Sequence, residues 1–170
     1  MLQADSDKQL FIDHRFIAAS ENVSLTVNPP IKQPGTILRS DKPWDVFSLG
    51  WYSIVEDDGI FKMWYFASDS DQWGGGKSRL CYAVSEDGLN WEKPNLDLME
   101  FKGSKENNIV RDDIRLSYVF IDPHGKKEER FKMIHWGGKF GNDKFGNDTG
   151  GIRIETSPDG LHWDKPSYDV

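Results

Sequence analysis

The stretch Ser85-Glu86-Asp87-Gly88-Leu89-Asn90-Trp91-Glu92-Lys93-Pro94 decides the fold, because it returns near the end of the chain. The second copy is Ser157-Pro158-Asp159-Gly160-Leu161-His162-Trp163-Asp164-Lys165-Pro166, seventy-two residues on (85 to 157). Ser, Asp, Gly, Leu, Trp, Lys and Pro recur in register. A second echo precedes each copy: Phe61-Lys62-Met63-Trp64 answers Phe131-Lys132-Met133-Ile134, seventy residues apart (61 to 131). Two markers repeated at nearly one offset mean a duplicated structural unit, and repeats of this length are the mark of tandem architectures.

Working outward, an alternating run leads into each copy. Leu80, Tyr82 and Val84 alternate with Cys81, Ala83 and Ser85; Ile152, Ile154 and Thr156 alternate with Arg153, Glu155 and Ser157. Period two is the signature of a strand. Asp-Gly then turns the chain, since glycine takes a positive φ at little cost and aspartate bonds its own turn backbone. Trp91 and Trp163 follow on a returning strand, where a buried indole can staple a hairpin to its neighbour.

Upstream, strand patterns cover Leu49 to Val55, Ile60 to Ala67 and Arg79 to Ser85, with a tight turn at Asp57-Asp58-Gly59 and a short fourth strand beginning at Trp91. The second unit repeats this over Ile114 to Ile121, Phe131 to Trp136 and Gly151 to Ser157. Two further short strands are predicted in residues 10–17 and 24–27, followed by a proline-rich connector over 28–43. No segment carries a helical period. The expected fold is all-β: a partial β-propeller of two four-stranded antiparallel blades, with an N-terminal strand segment. Its divisions are residues 1–43, a first blade over 44–106 and a second over 107–170. Two blades cannot close a ring, so an exposed sheet edge and a large apolar face are expected, to be covered by missing C-terminal blades of the same chain.

Composition narrows the function. The 170 residues are 37% hydrophobic and 13% aromatic, which suffices for a packed core. A net charge of −7 without a long basic run argues against nucleic acid or anionic membrane as a partner. The one cysteine, Cys81, sits in a strand pattern and reads as a small core residue. No apolar run approaches the roughly 18 residues of a membrane helix. No signal peptide is visible in the first residues, which leaves a cytoplasmic or a secreted setting open.

Trp51-Tyr52, Phe61-Lys62-Met63-Trp64-Tyr65 and the run Tyr82 to Pro94 together resemble the blades of five-bladed β-propeller glycosidases, the arabinanase, invertase and levansucrase superfamily and its bacterial relatives. Leu10 to Asp13, Asp41 to Trp44 and Asn107 to Val110 fit the same group. The resemblance spans the chain from about residue 10. The Ser-x-Asp-Gly turn is also similar to the Asp-box of sialidases, though one residue is missing between Asp and Gly.

The resemblance implies a carbohydrate substrate and hydrolysis by two carboxylates, one acid and one base or nucleophile. Such carboxylates come from the starts of inner strands. Here Asp45 precedes the first inner strand, and Asp112 and Asp113 precede the second. Arg111-Asp112 resembles the Arg-Asp pair of invertase-like enzymes, in which the aspartate stabilises the transition state. Asp45 would then be base or nucleophile, and the general acid is expected on a blade this chain lacks, so residues 1–170 alone are expected to be inactive. The other reading makes the three aspartates ordinary turn residues at strand entries.

Trp44, Trp73 and Trp136 are candidates to stack on sugar faces, with Arg111 as a further substrate contact; each indole equally suits a core. His135 alternates within a strand and reads as packing. The tandem Lys139-Phe140-Gly141-Asn142-Asp143 and Lys144-Phe145-Gly146-Asn147-Asp148 supplies oxygen ligands, but two lysines oppose a cation there. No His/Cys cluster has zinc spacing, and neither metal nor cofactor is expected. Two alternatives stand beside the hydrolase: a non-catalytic carbohydrate-binding or interaction propeller, and a sialidase-like protein.

Overall fold

The computed structural model describes His14 and residues 17–70, 77–112, 114–137 and 151–164. The chain divides into two compact units, residues 1–35 and 36–170. In the first, residues 17–35 form no strand, although the pattern at 24–27 predicts one; Val23, Val27 and Ile31 are exposed. Their apolar side chains find no sheet to join. The other predicted N-terminal strand, at 10–17, lies almost wholly outside the described residues.

The second unit holds two antiparallel sheets. The first is ordered β1 (Ser48–Asp57), β2 (Ile60–Ser68), β3 (Ser78–Ser85) and β4 (Ile109–Asp112). The second is ordered β5 (Arg115–Ile121), β6 (Phe131–Gly137) and β7 (Gly151–Ser157), with a short 3-10 turn at Lys127–Glu129 before β6. Asp58 and Gly59 join β1 to β2 with φ of 54° and 79°. Positive φ at both central residues is the turn that matches strand twist in a two-residue hairpin.

Six of the seven strands coincide with sequence patterns, and one corrects them. The strand that completes the first sheet is β4, not the segment at Trp91. Only Glu92 pairs there, in an isolated bridge to Val84. Residues 109–112, assigned from the repeat to the second unit, belong to the first sheet. The cause is Asn108: its amide donates to the Tyr82 carbonyl at 2.6 Å and its own carbonyl accepts from Tyr82 N at 2.9 Å, which steers the incoming chain onto β3. The second sheet has three strands among the described residues; Asp164 N still bonds Thr156 O at 2.9 Å beyond β7.

Both copies of the repeated turn have the same internal wiring. Ser85 Oγ donates to Asp87 Oδ1 at 3.0 Å, while that oxygen accepts from Leu89 N and Asn90 N at 2.8 and 2.7 Å. Ser157 and Asp159 do the same with Leu161 N and His162 N, both at 2.8 Å. The motif therefore closes its own turn, at the end of the strands opposite to where β1 and β5 begin.

Two apolar clusters flank the first sheet. Trp64, Leu80, Tyr82 and Val110 pack against Val119, Phe131 and Met133 of the second sheet and against Ile114 just before it. Met63, Tyr65, Ala67, Cys81 and Ala83, on the other face, are covered by Trp44, Ile109 and the 91–101 segment. The junction between sheets is pinned by Trp64, whose Nε1 donates to the Gly160 carbonyl at 2.7 Å. Ser53 Oγ also accepts from Val119 N at 2.9 Å.

The face of the second sheet turned away from the first is apolar and open. Tyr118, Ile134, Ile152 and Ile154 stand there where Ser53, Trp64, Leu80 and Tyr82 stand in the first sheet. The first-sheet set is buried; Tyr118 is 59% exposed and Ile152 70%. The expected open face is thus a repeat, one unit on, of the first-sheet surface that the second sheet covers.

Gly160 is the tightest point of this packing. Its φ is +80°, and a Cβ built on it would stand 2.4 Å from Trp64 Cζ2. Gly88, in the first turn, has φ +73° but only a 3.9 Å approach to Phe61. Gly88→Ala is expected to lose about 1 kcal/mol from backbone strain alone. Gly160→Ala adds overpacking of about 1–3 kcal/mol and the displacement of an indole. Urea unfolding of both variants measures the difference; equal losses would mean that Trp64 yields freely and that the junction is loose.

Candidate functional site

The strand entries that carry the candidate carboxylates share one end of the sheets, here called the rim. β1 and β3 begin there and β2 and β4 end there, since Ser48 pairs with Ser68, Ser68 with Ser78, and Arg79 with Asp112. β5 begins and β7 begins at the same end, with Arg115 opposite Trp136 and Gly151 opposite Gly137.

Asp112 lies on this rim between two cations, 3.3 Å from Arg79 Nε and 3.5 Å from Lys77 Nζ. Arg79, nearly buried, also reaches Asp69 at 3.1 Å and lies over the Phe101 ring. Its guanidinium thus locks the end of β2 to the end of β4.

Beside it, Arg111 crosses from the first sheet to the second and pairs with Glu155 Oε2. Glu155 is fully buried, and its other oxygen meets His135 Nε2 at 2.9 Å. A carboxylate with no water around it would favour the protonated form. Burial does press on Glu155 in that direction, but His135 and Arg111 together more than offset it, and its pKa lies below the usual carboxylate value. Arg111 stays 38% exposed. One edge of its guanidinium is therefore anchored while the rest faces the rim.

Asp45 differs from Asp112 in burial: it is fully buried, on the face of the first sheet turned away from the second, the face on which Asp112 meets Arg79. Lys93 Nζ donates to one carboxylate oxygen at 2.6 Å, and Lys42 N donates to the other at 2.9 Å. Lys93 also binds Asp41 at 2.7 Å and the Arg39 carbonyl at 2.6 Å, and it holds the Asp41 carboxyl below its usual pKa. Asp45 and Asp112 share no partner among the described residues. Trp44 goes with Asp45: its indole is buried, donates to Asn108 Oδ1 at 2.8 Å and stands edge-on to Phe101. Asn108 Nδ2 in turn donates to Tyr65 Oη at 2.8 Å. Burial drives the Tyr65 hydroxyl far up in pKa, so it acts as a neutral bridge.

Trp136 is half-exposed, on the open face of the second sheet, where it occupies the place that Phe66 has in the first. Trp73, Asp113 and the tandem Lys-Phe-Gly-Asn-Asp loop lie outside the described residues. His135 takes the structural place expected for it. Cys81 is buried, and burial raises its thiol well above the ordinary value, as suits a core residue. No group of metal-binding side chains occurs among the described residues.

The charged residues paired with these candidates that sequence reading passed over are Arg79, Glu155 and Lys93. Glu155 had a signal: it falls on the inward side of the Ile152–Ser157 alternation, where a charge requires a partner. Lys93 had another, since Lys recurs in both copies of the repeat while the turn itself makes no use of it.

Linkage gives the sign of the pH dependence. Glu155 is more acidic folded than unfolded, so its contribution is complete above about pH 4.3, the unfolded value, and fades as pH falls through the lower folded value. The stability of the wild type should therefore drop more steeply below pH 4.3 than that of Glu155→Gln, by urea titration at a series of pH values. Parallel acid limbs would mean that folding does not lower the Glu155 pKa.

No protein-family model matches this sequence. An uncharacterized protein of Mycobacterium tuberculosis, found in two strains, is 32% identical over 71 residues, which is 39% of this chain and 23% of that protein. Among solved structures, one from Parabacteroides distasonis, assigned provisionally as a glycoside hydrolase, superposes with a TM-score of 0.51 at 19% identity over 81% of this chain and 42% of that one. A glycosyl hydrolase from Bacteroides ovatus gives 0.49 at 18% identity, over 74% of this chain and 33% of that one. The chain thus spans about a quarter of the curated relatives and less than half of these structures. The likeness to the Parabacteroides protein is one of fold: this chain is all-β, two adjacent blades of a β-propeller.

Proposed function

We propose that these residues are two blades of a five-bladed propeller that hydrolyses a glycosidic bond with carboxylate acid and base. The observation that carries this reading is the rim pair Arg111-Asp112, at the entry to the second inner strand, with Arg111 held in place by a buried carboxylate. Fixing a guanidinium in advance removes the reorganisation it would otherwise undergo when charge develops on a sugar. The glycoside hydrolase description of the Parabacteroides neighbour supports the substrate class.

Asp112 then stabilises the transition state, and the remaining carboxylates come from Asp113 or from further blades. The open apolar face of the second sheet is where the next blade packs. In this reading Asp45 is an anchor for Lys93 rather than a base, and Trp44 belongs to the core.

A non-catalytic carbohydrate-binding propeller is the second reading, and the burial of Asp45 favours it, because it removes one carboxylate from the rim. A sialidase-like site needs a cluster of arginines open to a substrate carboxylate; Arg79 is nearly buried and tied to Asp69 and Asp112, which leaves Arg111 as the exposed one of the two.

Aryl glycosides assayed with a polypeptide carrying all five blades separate these readings. Asp112→Asn should lower kcat/KM by about 10² or more, the usual scale for one transition-state electrostatic contact. Asp45→Asn should chiefly lower the unfolding midpoint. Residues 1–170 alone should turn over none of the substrates. Hydrolysis by that piece would refute the need for further blades, and unchanged turnover by Asp112→Asn would remove it from the reaction.

A further inference from the structure

His135 and Glu155 form a buried polar pair in a place where the fold does not require one. The duplication supplies the comparison. Met63 pairs with Ala83 and Tyr65 with Cys81 in the first sheet, as Met133 pairs with Glu155 and His135 with Arg153 in the second. His135 thus occupies the place of Tyr65, and Glu155 that of Ala83. Tyr65 and Ala83 are fully buried, and neither carries a charge. The same framework therefore closes without a carboxylate at this point. A buried carboxylate is costly until its partners offset it, and uncharged residues in such a place are often as stable.

The pair leads to the rim. A carboxylate only accepts hydrogen bonds, so His135 Nε2, 2.9 Å from Glu155 Oε1, carries the hydrogen between them. The ring is placed from its other side as well, with Nδ1 3.3 Å from the Trp136 carbonyl oxygen. With Oε1 taken by the imidazole, Oε2 is left for Arg111. Burial presses Glu155 toward its protonated form. The His135 hydrogen bond is the largest influence opposing it, ahead of the Arg111 charge.

Two partners do what one could not. The last torsion of a glutamate is broad, so a single contact leaves the plane of the carboxylate free to turn. Contacts to both oxygens, one from each side, fix it. Arg111 in turn has Glu155 as its side-chain partner, and 38% of its own side chain is exposed. The direction of its guanidinium is set by one carboxylate, and the plane of that carboxylate by His135.

We propose that His135 is a positioning residue, which orients Glu155 so that Arg111 holds one edge of its guanidinium fixed toward a sugar hydroxyl at the rim. This rests on the carbohydrate reading above. His135 and Glu155 touch no substrate and have no part in bond cleavage. Their contribution is made before the ligand arrives, as order that Arg111 would otherwise have to acquire on binding.

Guanidinium signals in proton–nitrogen correlation spectra of the 170-residue chain test this, with those of Arg111 identified by their loss in Arg111→Lys. A guanidinium held by a carboxylate turns slowly enough to give separate Nη–H signals, and a loose one does not. Three replacements separate the hydrogen bond of His135 from its bulk. A glutamine amide nitrogen lies as far along the side chain as Nε2 and can donate to Glu155; an asparagine amide reaches only the place of Nδ1, and phenylalanine keeps a ring without a donor. His135→Gln should keep the separate Arg111 signals, whereas His135→Asn and His135→Phe should merge them. The sugar probes are cellobiose, sucrose, β-1,2-mannobiose, β-1,4-mannobiose and arabinobiose. At least one should shift the Arg111 signals of the wild type, and it should bind the Asn and Phe variants at least tenfold more weakly than the wild type and the Gln variant. If the Asn and Phe variants keep separate signals, or a sugar binds them as well as it binds the wild type, or a sugar moves other signals but not those of Arg111, positioning is refuted while the carbohydrate reading survives. If no probe moves any signal, the carbohydrate reading falls and the proposal with it. If the three variants behave alike, merged or unfolded, or if the Asn and Phe variants both fail to fold, His135 serves packing and the proposal is refuted.

Discussion

The two sheets hold together because one indole reaches across the gap between them and ends on a backbone carbonyl. Trp64 is fully buried, and its only polar atom is satisfied by Gly160. A buried indole N–H without a partner would cost a large part of what its ring contributes, so the carbonyl has to be in place. It is in place because the Ser157–Asp159 turn fixes the loop, and the loop can come this close only because residue 160 has no side chain. The repeated turn thus serves twice: each copy closes its own hairpin, and the second also presents a carbonyl to the preceding sheet. In the second sheet Ile134 stands in the place of Trp64. An isoleucine has no donor, so at this position packing on the open face rests on apolar contact alone.

This explains how much of the architecture could be read from sequence. The turn wiring is local, within six residues, and uses side chains whose preferences are strong; it was legible, as were the period-two strands on either side. β4 was not. Its pairing is set by Asn108, whose amide and carbonyl both bond Tyr82, twenty-six residues away. Nothing in the spelling Asn-Asn-Ile-Val distinguishes a residue that clamps a neighbouring strand from one that caps a turn. Residues 24–27 failed for the opposite reason. Their alternation is strand-like, but a strand needs a partner, and alternation says nothing of whether one exists.

The candidate site was legible only as positions along the chain. Arg111 and Asp112 were singled out because a short motif precedes a predicted inner strand. Asp45 satisfied the same rule, and the structure surrounds it with Lys93, Lys42 and Tyr65. Position along the chain gives the end of a strand but not how deeply a side chain is buried or which charges meet it. Lys93 decides the matter: its stem is buried under the 39–45 segment, and a buried ammonium must be met by carboxylates. The motif Trp-x-Lys-Pro thus carries its charge for the benefit of Asp41 and Asp45. In the Lys93–Asp45 and Arg111–Glu155 pairs a cation with some exposure is held by a carboxylate that has none.

That asymmetry has a consequence for the rim. A cation whose counterion is buried keeps its position while its outer side remains hydrated, so it can meet a ligand without first being ordered. Arg111 has this arrangement, and it faces the rim; Lys93 has it and faces inward. Arg79 has it less, since Asp69 and Asp112 both approach it and little of its side chain is open. Of the three, only Arg111 combines a fixed side chain with exposure.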